Sequence, residues 1–156
     1  MIEFAHILIA AVLGAMIGIE RELAGKPAGL RTHIFVATAS ALLVILVPDA
    51  INIIKQEFPE RAADSDPIRV IQAIIVGISF LGAGTIVHHH GDQVEGLTTA
   101  GSIYLTAGIG IAVAVHRIWL AAAVTVLALV VLIVFDRIEE RIKHRLGRKT
   151  DQDDDE

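Results

Sequence analysis

Residues Ile118 to Phe135 read IWLAAAVTVLALVVLIVF, without one charged side chain. Apolar residues would occupy every face of a helix formed by this stretch, whereas a helix on a water-soluble core keeps one apolar stripe. Four further blocks share the pattern: Ile2 to Ile19, His33 to Val47, Val70 to Val87 and Leu97 to Val115. The 156-residue chain carries 13 Lys and Arg and 18 Asp and Glu, yet the five blocks hold a single formal charge, Glu3. A bilayer core about 30 Å thick takes roughly 20 helical residues, a length each block reaches with the interfacial residues at its ends. The sequence therefore predicts an all-α membrane protein. The expected form is a five-span transmembrane helical bundle over 1–136, followed over 137–156 by a basic juxtamembrane helix and a disordered acidic tail.

Cysteine is absent, which excludes disulfides, thiolate metal sites, iron–sulfur clusters and a catalytic thiol. The net charge is −5, and the basic residues are spread over loops and tail with almost no aromatics among them, so nucleic acid is not an expected partner. Met1-Ile2-Glu3 lacks the basic start of a secretory signal, and the first span is expected to be retained. Short loops rich in Lys and Arg resist translocation. With five spans, one side receives Arg21, Lys26, Arg31, Arg137, Arg141, Lys143, Arg145, Arg148 and Lys149, and the other only Lys55, Arg61, Arg69 and Arg117. This places the N-terminus outside and the C-terminus in the cytoplasm.

Span two is short and ends at Val47 before Pro48 and Asp49; it either extends through Ala50 to Ile54 or kinks at the proline. The external loop Pro48 to Pro67 has a local charge of −3, and Ile51, Ile53, Ile54 and Phe58 suit it to lie partly on the membrane surface. Beyond Phe135, Ile138, Ile142 and Leu146 recur at helical spacing and Glu139 precedes Lys143 by four, so the last helix is expected to continue out of the membrane and stop at Gly147. The run Asp151 to Glu156 has nothing to bury and reads as disordered.

Small residues at four-residue spacing, Gly14 with Gly18 and Gly108 with Ala112, are the pattern that lets membrane helices approach closely, and packing is enough to explain them. Thr98, Ser102, Thr106 and Gly110 keep to one face of span four. That face reads either as the polar lining of an ion or water path or as interhelical hydrogen bonding worth about 0.6 kcal/mol per contact. No Asp, Glu, Lys or Arg lies deep in spans two to five, where ion-coupled pumps commonly place one. His88-His89-His90 cannot all reach one ion from a helix, because consecutive side chains diverge; a solvated polar loop explains them. Asp64 with Asp66, or Glu20 with Glu22, would suffice chemically for Mg2+ but specify little.

Three segments converge on the cytoplasmic face under this topology: Glu20-Arg21-Glu22 with Arg31, Thr32 and His33, then Gly82 and Gly84, then Gly96, Thr98 and Thr99. Charges at the hydrocarbon edge demand partners. The expectation is that Glu20 or Glu22 pairs with Arg31 or Arg21, as a structural collar or as part of a functional site. Gly82, Gly84 and Gly96 are expected to bring spans three and four close against span one.

Gly14 to Glu22 (GAMIGIERE), Ala28 to His33 (AGLRTH), Asp66 to Gly84 (DPIRVIQAIIVGISFLGAG) and Gly96 to Tyr104 (GLTTAGSIY) resemble, in order and spacing, the membrane domain of the MgtC/SapB family. The resemblance implies a multi-pass protein of the bacterial or archaeal inner membrane, linked to growth under magnesium limitation, to stress adaptation and, in pathogens, to survival inside host cells. No cofactor is expected, and the ligand or substrate the resemblance points to is Mg2+. Asp66 and Arg69 are the external residues the motif singles out. The partners it implies are the bilayer, a membrane protein such as the ATP synthase or a transporter, and a second copy of the chain. The chain departs from the founding type in lacking the folded cytoplasmic C-terminal domain, and Ser79, Gly101 and Tyr104 stand where relatives carry glycine, alanine and tryptophan.

Two functions fit. One is a regulator of membrane partners in magnesium homeostasis, consistent with the lack of deep ionisable groups. The other is a divalent-cation channel or facilitator using Ser102, Thr106 and the Glu20/Glu22 cluster. No Ser/His/Asp order, phosphate loop or paired intramembrane carboxylate supports an enzyme.

Overall fold

The computed structural model describes residues 2–58, 60, 66–88 and 94–153, with side chains through 138 apart from those at 87 and 88. Its first helix, α1 (Ile2–Leu23), stops where Gly25 adopts φ +66. The amide of Gly25 donates to the Glu22 carbonyl (3.1 Å) and that of Lys26 to the Arg21 carbonyl (3.0 Å), the closing pattern of a Schellman turn, which needs a left-handed residue. The chain reverses into α2 (Leu30–Ile45), whose first amide, Leu30 N–H, donates to the Glu22 carboxylate at 2.7 Å. Leu46 keeps helical angles, and Pro48 enters in the first turn of α3 (Val47–Glu57), where its missing amide costs least. Span two therefore does extend past Val47, and the apolar helical stretch runs from Leu30 to Glu57. No α3 side chain is buried.

Helix α4 (Pro67–Ala83) starts with Asp66 as its cap, Oδ1 accepting from Ile68 N–H at 2.9 Å, and with Pro67 in its first turn. It ends earlier than the apolar block Val70 to Val87 suggested. Gly84 closes it, and Val87–His88 pairs antiparallel with Val94–Glu95 as a short ribbon, β1 and β2, that the sequence did not announce. His89 and His90 lie outside the described residues. Gly96, at φ +91 and tight against Thr85, turns the chain into α5 (Leu97–Ala114). The last helix, α6 (Ile118–Asp153), passes through Gly147 and into the acidic run as far as Asp153. A single glycine in a helix costs about 1 kcal/mol, too little to end one by itself. The expected stop at Gly147 is thereby corrected, while 154–156 lie outside the described residues.

Small residues set the packing. A Cβ on Gly14 would come within 2.6 Å of the His33 carbonyl oxygen and 2.8 Å of Ala37 Cβ, and one on Gly18 within 2.7 Å of Leu30 Cα. On the other side of α2, a Cβ on Gly110 of α5 would collide with the Ala37 carbonyl oxygen. Helix α2 is thus gripped between α1 and α5. The core around this contact consists of Ala10, Ile17, Ala37, Ala41, Ile109 and Val113, with α6 adding Ala121, Ala128 and Leu132. Helix α4 packs on α5 and buries only Ile74 and Gly82. Outside this core the large apolar side chains point outward: Trp119 is 90% and Phe80 80% exposed, an arrangement suited to lipid and unsuited to water. Four helical stretches, Ile2–Leu23, Leu30–Glu57, Leu97–Ala114 and Ile118–Ile138, are long and apolar enough to cross a membrane, and α4 is a shorter apolar helix.

Two expectations about glycine need correction. Gly108 has open space around it, and the close approach on α5 belongs to Gly110. Gly82 faces Ala100 of α5, Gly84 meets only carbonyls of its own helix and Gly96 lies against Thr85, so none of the three seats against α1. Gly110→Ala is expected to lower stability by about 1–3 kcal/mol, because the added methyl forces α5 off α2. Gly108→Ala should be neutral or gain up to about 1 kcal/mol from helix propensity. Reversible unfolding of the two variants in mixed micelles measures the difference.

Candidate functional site at the charged end of the bundle

Arg21 lies in the last turn of α1 and is fully buried. Its Nε and Nη2 donate to the two carboxylate oxygens of Glu20 at 2.5 and 2.6 Å, a side-on bidentate pair. Nη2 also donates to Asp136 Oδ2 of α6 at 3.0 Å. Asp136 follows directly on the apolar run of Ile118 to Phe135, so helix α6 delivers its first charge at the depth where α1 delivers Arg21. The formal charge of the three side chains is −1. Arg21 Nη1 is buried without a hydrogen-bond partner among the described residues.

One turn into α2, His33 is fully buried between α1 and α5. Its Nδ1 lies 2.9 Å from the Gly29 carbonyl, which can only accept, so Nδ1 carries a proton. Nε2 lies 3.2 Å from Ser102 Oγ, and that hydroxyl lies 2.8 Å from the Thr99 carbonyl. With a neutral ring, the single Ser102 proton serves either Nε2 or Thr99. The site thus ties the start of α2 to α5 through a hydrogen bond and the end of α1 to α6 through an ion pair.

The expected collar is present in part. Glu20 pairs with Arg21, but Arg31 is exposed and forms no ion pair among the described residues, and Glu22 is engaged as the cap of α2. Thr32 is half-buried, Thr98 exposed and Thr99 buried. Thr106 is fully buried and donates to the Ser102 carbonyl of its own helix at 2.8 Å. Of the face Thr98, Ser102, Thr106 and Gly110, only Ser102 bonds to another helix; Gly110 contributes a packing contact. Among the described residues no three His, Asp or Glu side chains come together as a metal site. Glu20 and Glu22 are spent on other partners, Asp66 caps α4, and Asp64 lies outside the described residues. Arg69 is exposed beside Ala39 and Ser40 at the opposite end. Sequence reasoning missed Asp136, which was readable as the charge that ends the fifth apolar block; it placed His33 at this face but gave it no partner.

A sequence model of the MgtC family matches residues 7–141. The chain belongs to the MgtC family. Its relatives include an uncharacterized protein of Haemophilus influenzae, 38% identical over 149 residues that cover 96% of this chain and 61% of that protein. Protein SapB of Bacillus subtilis is 41% identical over 67% of this chain and 44% of its own length. Protein MgtC of Salmonella typhimurium is 34% identical over 88% of this chain and 54% of its own. The chain therefore spans about half to three-fifths of the length of these curated relatives. No solved structure matches it.

Removing one partner from a buried ion pair strands the others and costs about 3–5 kcal/mol. Arg21→Gln, which leaves Glu20 and Asp136 facing each other, should show a loss of that size. Asp136→Asn, which keeps a side chain able to accept from Nη2, should cost about 1–2 kcal/mol. Unfolding of both variants in mixed micelles checks the ranking, and equal losses would contradict the placement of Arg21 at the centre.

Proposed function

We propose that this MgtC-family chain crosses the inner membrane of a bacterium or archaeon five times, N-terminus outside, and serves magnesium homeostasis by regulating a membrane partner. Helix α4, about 25 Å long, makes the fifth crossing, with Arg69 reaching the interface at one end. The excess of Lys and Arg at the end that carries Arg21 supports a cytoplasmic location for the charged cluster. YhiD of Escherichia coli K12, named as a candidate magnesium transporter, supports the link to magnesium. YhiD is 33% identical over 90% of this chain.

One observation carries the choice of regulator over channel. The hydroxyls of Thr106 and Thr125 inside the bundle are bonded to carbonyls of their own helices, both residues are fully buried, and α5 meets α2 through Gly110 with no room for an ion. A conducting path needs polar groups open to water. The groups available to a partner lie at the end of the bundle, where the Asp136 side chain is about one-third exposed and Arg31 is free to reach outward. No catalytic constellation enters this reading.

Liposomes containing the purified chain and a magnesium-sensitive dye should take up Mg2+ no faster than empty vesicles. In cells lacking the chain, wild-type protein should restore growth at low magnesium, whereas Asp136→Asn should not, at equal membrane levels. Uptake above the empty-vesicle rate would overturn the regulatory reading in favour of a facilitator.

A further inference from the structure

At the end of the bundle opposite Arg21 lies a cavity of about 760 Å3, walled mostly by aliphatic side chains of α2, α3 and α4. Its polar lining is Glu3 and His6 of α1, Asn52 and Lys55 of α3, and His116 between α5 and α6. We propose that His6 and His116 form a binding site for a divalent transition-metal ion of the Zn2+ class, distinct from any Mg2+ site.

Three observations converge on this pair. His6 is 8% exposed, and its Nδ1 lies 2.8 Å from the Ile2 carbonyl one turn back, which can only accept. The proton is therefore on Nδ1, and the lone pair is on Nε2, which makes no hydrogen bond among the described residues. A carbonyl that fixes the tautomer in this way is the usual outer support of a metal-binding imidazole. His116, in turn, is the one non-glycine residue with positive φ, +63, among the described residues. It occupies the left-handed position of a Schellman turn, with its own amide on the Val113 carbonyl at 3.0 Å and the Arg117 amide on the Ala112 carbonyl at 2.8 Å. Glycine is the default there, and any other side chain costs about 1–2 kcal/mol. The turn holds an imidazole at that cost, and backbone strain of this kind clusters at functional sites.

The third observation is proximity. The two rings stand edge to face with centroids 4.6 Å apart, although His6 and His116 come from opposite ends of the sequence. Two imidazole nitrogens on one tetrahedral ion, each about 2.0–2.1 Å from it, stand roughly 3.3 Å apart. With His6 held by the Ile2 carbonyl, the proposal requires the His116 ring to turn about χ2 to bring its nitrogen to that separation. Imidazole selects Zn2+ and its neighbours over Mg2+, which takes oxygen ligands. Among the described residues no third His, Asp or Glu joins the pair as a ligand, so water completes the coordination. Glu3, three residues before His6 and facing the same cavity, offsets part of the ion's charge, while Lys55 on α3 and Arg117 next to His116 oppose it and keep the affinity modest.

The full chain in nanodiscs, stripped of metal by a chelator, is titrated with Zn2+ by calorimetry in excess Mg2+. Trp119, the sole tryptophan and three residues past His116, gives a second readout through quenching by Cu2+. His116→Gly removes the imidazole and relieves the strained backbone, so it should fold at least as well as wild type while weakening Zn2+ binding by about tenfold or more. His6→Gln should weaken it similarly. A variant with His88, His89 and His90 all replaced by glutamine should bind as wild type does. Unaltered Zn2+ affinity in a folded His116→Gly protein would overturn the proposal, as would loss of binding in the triple variant or displacement by Mg2+.

Discussion

The backbone of α2 passes between α1 and α5 at a separation that only glycine allows. Ala37 is the pivot: its Cβ lies against Gly14 on one side and its carbonyl oxygen against Gly110 on the other. In water, burial of apolar surface would drive such an association. In a bilayer the lipid tails are as apolar as the helices, so dispersion at close range and a few polar contacts must do it. Small residues at Gly14, Gly18, Ala37, Ala41 and Gly110 maximise that close range, and the remainder of the fold is arranged around the three helices they join.

Polar chemistry is displaced to the two ends of this grip. At one end the approach of α1 to α2 buries His33 beside Ser102, and the last turn of α1 carries Arg21 inward to Glu20 and Asp136. At the other, the start of α1 and the turn after α5 bring two imidazoles together over a cavity. Between them the hydroxyls of Thr106 and Thr125 are closed onto their own helices. A membrane protein organised in this way has its interaction chemistry at the interfaces with water, which is the physical basis for reading it as a regulator.

Much of the fold was legible. The apolar blocks, the break at Pro48 and the cap at Asp66 are local properties, set by transfer of residues into lipid and by backbone geometry within one turn. Gly14 and Gly18 were legible for the same reason, since their spacing lies within one helix. The short α4 and the ribbon after it were less so, because the apolar composition of Thr85 to Val87 suits a span and a strand equally.

The charged cluster divides along the same line. Glu20 and Arg21 announce themselves as charges at the edge of a span, and their need for partners follows from desolvation alone. Which partners they take does not follow. Glu20 takes the adjacent Arg21 rather than Arg31, and Arg21 takes as its second acceptor Asp136 of α6, which is far away in the sequence. In the same way Gly110 rather than Gly108 meets α2, and Gly82 meets α5 rather than α1. The sequence by itself determined which stretches are apolar enough to cross a membrane, since that is decided residue by residue against lipid. Only the tertiary structure decided which faces meet, because in hydrocarbon that choice rests on shape fitting shape, for which hydropathy carries no record.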